Sequence, residues 1–515
     1  MAQLNMNRVR VERDIKEDRQ SIERIDRFIY RLLIFAIVVI PLLIGIKTEV
    51  FVSPIISSTG VDGTAYQSDI FTYFKFVVLI VITLGTTVPF LYKLLFLNYE
   101  INKSKLTPTI YLFMVAIILS TIFAEYKHIA LWGVYNRHDG AITYICFSLL
   151  MLVAINIQYP KNILKTILVA LYPFVWINLI ISLLTFYGKN ILTNKVFQSV
   201  LTIFDSSKQP FNEGSILTGT LNQWNYMSGI SGITIMIFLA IAIFEKSNKL
   251  RIINILTALA AFATLLVSIS TSGFLAFVVM SIFMLVLLFL KDNWKKGLIT
   301  FAIFFVLASG VLTILAQKNS GIWNESIGTF VKYNPFESKS AALNLNLLDS
   351  KAYASDKVFS LPELPEQATG AGSGRLYIWG TMLELMKDKP LTGYGLDTVL
   401  FHFPQNELEK RSQLYWDWIL VDKPHSFYLG ILWGTGILGF IGFVGILIIL
   451  SINIIKGLFR LREINPYYIA LSMGFGAFLI QALFNDSVIG LTVAPLIIGA
   501  VLYANNQNEQ EEGST

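Results

Sequence analysis

Apolar runs of membrane-spanning length recur along this chain and leave it few folds to choose from. The stretches near 28–46, 70–92, 106–123, 139–157, 162–187, 225–244, 250–269, 273–290, 298–316, 426–455, 466–485 and 488–504 each have the length a helix needs to cross a hydrocarbon core of about 30 Å. Inside lipid every backbone N–H and C=O must be bonded within the protein, which for runs of this length means helices. The expectation is therefore an all-α polytopic membrane protein with about twelve transmembrane helices. A chain that is 54% apolar and 14% charged, with a mean hydropathy of +0.61, agrees. Only the polar notch Asn485-Asp486-Ser487 separates the last two runs.

Charge sets the expected orientation. The even-numbered connections hold Lys93, Lys103 and Lys105; Lys161 and Lys165; Lys246, Lys249 and Arg251; Lys291, Lys295 and Lys296; and Lys456, Arg460 and Arg462. The short odd-numbered ones are poorer in cations, so both termini are expected in the cytoplasm. The chain then divides into a charged cytoplasmic segment 1–27, spans over 28–316, a large extracytoplasmic loop 317–425, spans over 426–504 and an acidic tail 505–515. Acids alternate with the arginines before the first span, unlike a signal or transit peptide, so no cleavage is expected. The net charge of +6 reads as loop charge facing an anionic leaflet, not as a nucleic-acid footprint. Cys146 is the one cysteine, and His128, His138, His402 and His425 show no ligand spacing, so neither a disulfide nor a metal or cofactor site is expected.

Chemistry is expected in the long loop, because a loop of this length in a compact protein is usually functional or disordered. Arg375 opens an amphipathic segment after the turn Gly370-Ala371-Gly372-Ser373-Gly374. Its guanidinium could meet phosphate oxygens beside free N–H groups at a helix start, or serve as an ordinary interfacial arginine. His425 follows Asp422-Lys423-Pro424 and precedes a span whose N-terminal dipole disfavours protonation, leaving either a neutral base that Asp422 could orient or a packing residue. Arg137 lies in Trp132-Gly133-Val134-Tyr135-Asn136-Arg137-His138-Asp139-Gly140, and Asn225 at the start of span six either binds sugar or phosphate or caps its helix. The glycines of span ten read as helix packing, and Asp486 as a turn residue with a smaller chance of joining the site.

Three ordered motifs make the chain resemble the O-antigen ligase and polymerase superfamily of bacterial membrane glycosyltransferases. They are Trp132-Gly133 to Arg137 and Gly140; Gly219-Thr220-Leu221-Asn222 with Asn225-Tyr226; and Gly374-Arg375 with Trp379, through Pro390 and Gly393-Tyr394-Gly395, to His425 and Gly436-Ile437-Leu438-Gly439. The resemblance implies a GT-C-like architecture in the inner membrane with its site on the outer face. It also implies metal-independent transfer of a glycan from undecaprenyl pyrophosphate to a glycan, lipid or protein acceptor, by ligation or polymerisation. Arg375 and His425 take the positions of the family's essential arginine and histidine. Arg137, Asn225, Asp422 and Tyr394 are the further candidates for substrate binding. One departure stands out: Ser270-Thr271-Ser272-Gly273 has Ser272 where many members carry an arginine.

A transporter or flippase of the same cargo is the competing expectation. It calls for ionisable groups along the bilayer midplane and repeat symmetry. The spans here hold almost none, since Arg31 and Lys75 sit near span ends from which they can snorkel. No signature of the peptidoglycan polymerases of the shape and division family is found.

Overall fold

The computed structural model describes residues 15–51, 65–101, 104–189, 191–205, 218–221, 223–290, 294–331, 334–336, 364–414, 419–460 and 465–512. The expectations for residues 1–14, for Asn222 and for the loop portion 337–363 fall outside these. The first half contains α1 (Ile15–Leu42), β1 (Lys47–Phe51), β2 (Ala65–Asp69), α2 (Tyr73–Phe96), α3 (Leu106–Phe123), α4 (Lys127–Trp132), α5 (Ala141–Ala154), α6 (Ile163–Ala170), α7 (Tyr172–Phe186) and α8 (Lys195–Leu201). The second contains α9 (Trp224–Phe244), α10 (Asn248–Val267), α11 (Thr271–Phe289), α12 (Trp294–Lys318), α13 (Gly321–Asn324), α14 (Arg375–Leu385), α15 (Val399–His402), α16 (Lys410–Gln413), α17 (Phe427–Arg460), α18 (Pro466–Gln481) and α19 (Ile489–Glu512).

Among the described residues, nine helical spans are long and apolar enough to cross a membrane: α2, α3, α6 with α7, α9, α10, α11, α12, α17 and α19. The protein is a multi-pass membrane protein. Helices α1, α5 and α18 occupy the other three expected stretches but are shorter or more charged. One element escapes the all-helical expectation. Between α1 and α2 the chain forms an antiparallel ribbon, Lys47 opposite Asp69 and Phe51 opposite Ala65. Asp69 ends it by accepting bonds from the N–H groups of Phe71 and Thr72 at 2.9 Å, which satisfies donors at the start of α2.

Helix α9 is the axis of the bundle, buried from Tyr226 to Ile243, with α10, α11 and α18 packed around it. Its small residues allow this. A Cβ on Gly273 of α11 would stand 2.0 Å from the Ser228 carbonyl oxygen, and one on Gly232 would stand 2.8 Å from the Gly273 oxygen. Polar groups within the bundle bond to their own helix, as Thr234 does to the Ile230 carbonyl at 3.0 Å.

Lys75 corrects the snorkelling expectation, which Arg31, exposed on α1, does not contradict, and Lys93 corrects its reading as a loop cation. Lys75 is 2% exposed and donates to the carbonyls of Phe71 and Thr220, both at 2.7 Å. At the other end of the helix Lys93 is fully buried, paired with Asp26 of α1 and seated over the Tyr99 ring. Both cations are enclosed and bonded instead of reaching for water, because α1 and the turn before α9 cover them.

Candidate functional site

The loop after α12 is fastened to the bundle through a break in α17. At Gly436 the backbone leaves the helical region (φ 65°, ψ −169°), freeing groups that lipid could not satisfy. The segment Pro390–Gly395 fills the gap. Tyr394 N–H donates to the Trp433 carbonyl at 2.9 Å, Gly395 N–H to that of Gly434 at 3.1 Å, and Ile437 N–H to that of Pro390 at 2.8 Å. A Cβ on Gly393 would lie 2.3 Å from the Trp433 oxygen, and one on Gly436 would lie 2.3 Å from the Leu391 oxygen. Gly434, against Leu396, and Gly436, against Leu391, read as helix packing from sequence and admit a loop instead, while Gly442 does meet a helix, α3, at Phe113. Tyr394 is committed to this joint: its ring stacks on Trp433 at 4.4 Å and its hydroxyl donates to the Leu385 carbonyl at 2.9 Å.

The same joint orients α14. Gly374 takes a left-handed φ of 81° and abuts Leu414 and Gln413 so tightly that only glycine fits. Arg375 then begins the helix, half-buried, with Nε lacking a partner. Burial works against its charge, and the nearby carboxylates Asp486 and Glu325 only partly offset this. One turn on, Trp379 Nε1 donates to the Pro424 carbonyl at 2.7 Å, tying the arginine helix to the residue before His425.

His425 is held at φ 53°, a conformation that costs a non-glycine residue free energy and recurs at functional sites. His138, Ser373 and Asp397, on neighbouring loops, share it. The His425 ring is 35% exposed and its Nδ1 lies 3.1 Å from Oδ2 of Asp486, which is 6% exposed. Orientation of this ring therefore comes from the α18–α19 turn, not from Asp422. Burial pulls the imidazole's proton affinity down, but the charge and hydrogen bond of Asp486, with Asp422, leave its pKa above the ordinary value. The helix-dipole expectation thus has the wrong sign, because a carboxylate in contact outweighs partial charges on backbone groups. In return, burial pushes Asp486 up while His425, Lys423 and Arg137 hold it below the usual carboxylate range.

Arg137 stands beside this dyad as a strut. It is 5% exposed, its Nε is 2.9 Å from Asp397, and its Nη1 donates to Asp422. Asp397 also accepts the Val134 N–H at 2.7 Å, locking the 133–140 loop to the loop after Gly395. Lys423, 7% exposed, donates to the Tyr226 hydroxyl at 3.2 Å. Asp139, Asp397, Asp422, Asp486 and Lys423 surround a cavity of about 30 Å³, room for a single water. Buried atoms without a hydrogen-bond partner gather here, including Arg137 Nη2, Asp139 Oδ1 and Asp486 Oδ1. Among the described residues no group of three or more His, Cys, Asp or Glu is placed to hold a metal ion.

A cavity of about 640 Å³, within the size range of small-molecule sites, is lined by Arg375, whose charge acts on His425, but not by His425 or Asp486 themselves. Arg375, Asn225, Ser272, Glu325 and Trp379 supply polar lining, and Ile269, Leu275, Leu376 and Phe484 an apolar wall. Asn225 is not the cap of α9, since Gln223 takes that position; it lines the cavity from the first turn. Ser272 accepts from Asn485 Nδ2 at 3.1 Å and lies 3.3 Å from the Ser270 hydroxyl, so hydroxyls fill the place of the expected arginine. Sequence reasoning named Lys423, Tyr226 and Trp379 within motifs without giving them a role in the site, and left out Asp397. Lys423 was visible, two residues before His425, but nothing in the sequence marks a lysine there as buried.

Residues 256–444 match the protein-family model described as O-Antigen ligase (Wzy_C). The matched segment runs from α10 through the broken half of α17 and contains Ser272, Arg375, Tyr394, Asp422 and His425. Arg137 and Asn225 precede it and Asp486 follows it. Comparison with curated proteins gives no match.

Proposed function

We propose, for a chain of which residues 256–444 match the O-Antigen ligase family model, that it transfers a glycan from undecaprenyl pyrophosphate to an acceptor hydroxyl at the outer face of the inner membrane. The observation that carries this reading is the His425–Asp486 dyad together with a cavity lined by Arg375. Asp486 accepts the Nδ1 proton, so Nε2 is the nitrogen left to take the proton from the acceptor hydroxyl. The acceptor oxygen bonds to the anomeric carbon as the bond from that carbon to the pyrophosphate oxygen breaks. Arg375, with a nitrogen unpartnered, receives the departing pyrophosphate. Asn225 and Ser272 are placed to bond sugar or phosphate oxygens, and the wall of Leu275, Leu376 and Phe484 suits the start of an isoprenoid chain.

Asp422 and Arg137 act in this reading as positioning residues, since each spends its charge on the other and Tyr394 spends its hydroxyl on the Leu385 carbonyl. Twelve spans, with both termini in the cytoplasm, put the site outside. The flippase reading loses ground because the buried cations Lys75 and Lys93 are capped by carbonyls and by Asp26, as struts and not as steps along a path. Arg375→Ala and His425→Ala should each abolish surface polymer in a deletion strain while the variants accumulate in the membrane. Wild-type polymer in both strains refutes the assignment.

A further inference from the structure

A second and larger cavity, of about 890 Å³, lies on the other side of the 132–140 loop and takes no part in the chemistry above. The loop is a partition. Arg137 points into the carboxylate cluster, whereas Trp132 and His138 line the second cavity with Phe51 and Glu49 of the ribbon, Tyr73 of α2 and Glu125 before α4.

His138 is the informative residue. Its ring is 8% exposed and stacks on Phe76 at 4.6 Å with 6° between planes. Neither ring nitrogen closes a hydrogen bond. Burial pushes its pKa down to about 4, the nearby Trp132 carbonyl opposing this in part, so the ring is neutral and its acceptor nitrogen is unspent. A buried polar group left unpaired costs free energy.

The lining also sorts the ligand. Two carboxylates, Glu49 and Glu125, face one lysine, Lys127, so the cavity does not favour an anion. Aromatic faces with carboxylates and a neutral imidazole match the apolar face and hydroxyl edge of a sugar. The floor is Val77 and Ile80 of α2. Helices α2 and α3 both pack on α5 but not appreciably on each other, and Val77, Val81, Ile118 and Ile122 are exposed along them. Val77 both lines the cavity and is exposed on α2, so the cavity reaches the outer face of this helix beside α3.

We propose that this cavity binds the headgroup of an uncharged glycolipid whose tail enters between α2 and α3. On the reading given under "Proposed function", it holds the second substrate next to the partition; the binding itself does not rest on that reading.

The test uses purified full-length protein in nanodiscs, with no donor, and dodecyl maltoside carrying a diazirine in its alkyl chain. Photolabelling should concentrate on peptides containing Val77, Ile80 and Trp132, and excess dodecyl maltoside should compete while dodecyl phosphocholine should not. Trp132→Ala and His138→Gln should each cut this labelling about tenfold, and Glu125→Gln, at an exposed position, should cut it severalfold. Labelling spread evenly over lipid-facing helices, insensitive to these variants, or displaced equally by the phosphocholine overturns the proposal. Arg375→Ala should label as wild type does, and a wild-type protein that labels here but transfers no glycan sinks the catalytic reading alone. A wild-type protein that transfers glycan but shows no localised labelling sinks this one alone.

Discussion

Arg137→Ala separates a strut from a substrate ligand. The wild-type guanidinium, 6% exposed, neutralises Asp397, 3% exposed, and Asp422, 39% exposed. Asp422 can rehydrate when its partner leaves, so its share is that of a surface pair, about 0–1 kcal/mol. Asp397 cannot, because only the Val134 N–H remains to it. Stranding a buried charge costs about 3–5 kcal/mol, and that sets the expected loss of stability in detergent, read by thermal or denaturant unfolding. Arg137→Asn paired with Asp397→Asn should recover at least half of the loss, since no ionised group is then abandoned. Arg137→Lys should fall between, one ammonium being unable to span two carboxylates as a planar fork does. A loss below about 1 kcal/mol for Arg137→Ala, on that scale for a surface pair, refutes the reasoning. So does a double variant no more stable than the single one. Wild-type stability with a raised KM for donor would make Arg137 a substrate ligand instead.

Three further outcomes follow from the geometry. Asp486→Asn removes the group that raises the His425 pKa, so the acid limb of the pH–rate profile should move to lower pH while the maximal rate falls about 10²-fold or more; an unmoved limb counts against the dyad. The raised His425 pKa stabilises the fold fully below 6.5 and is lost as pH rises through the folded value, so the Asp486→Asn stability deficit should shrink between pH 6 and pH 9 by unfolding assay. Gly393→Ala, with a φ of 68° and a Cβ 2.3 Å from the Trp433 oxygen, should cost about 2–4 kcal/mol, whereas Gly380→Ala, with nothing within 4 Å, should be neutral or gain up to about 1 kcal/mol.

The helices were legible because lipid demands apolar runs, and each run expected from the sequence holds a helix. The ribbon between α1 and α2 was not, because Lys47–Phe51 and Ala65–Asp69 are too short and polar to register against neighbouring spans. Arg375 and His425 could be singled out by type and position next to a glycine turn and a span start. Their setting could not. Asp486 is 61 residues from His425 and Asp397 is 260 from Arg137, separations over which neither periodicity nor local spacing carries a signal. The same holds for Gly436, whose role depends on Pro390–Gly395 arriving from another part of the chain, so its spacing alone resembled a helix-packing stripe.

The most direct measurement is release of undecaprenyl pyrophosphate from a glycan-loaded donor by purified protein in proteoliposomes supplied with acceptor. The account predicts release coupled one-to-one to acceptor glycosylation in the wild type, and at least a 10²-fold slower rate in Arg375→Ala and in His425→Ala, both variants remaining folded. Release at the wild-type rate in either variant, or movement of intact donor across the bilayer without release, contradicts it.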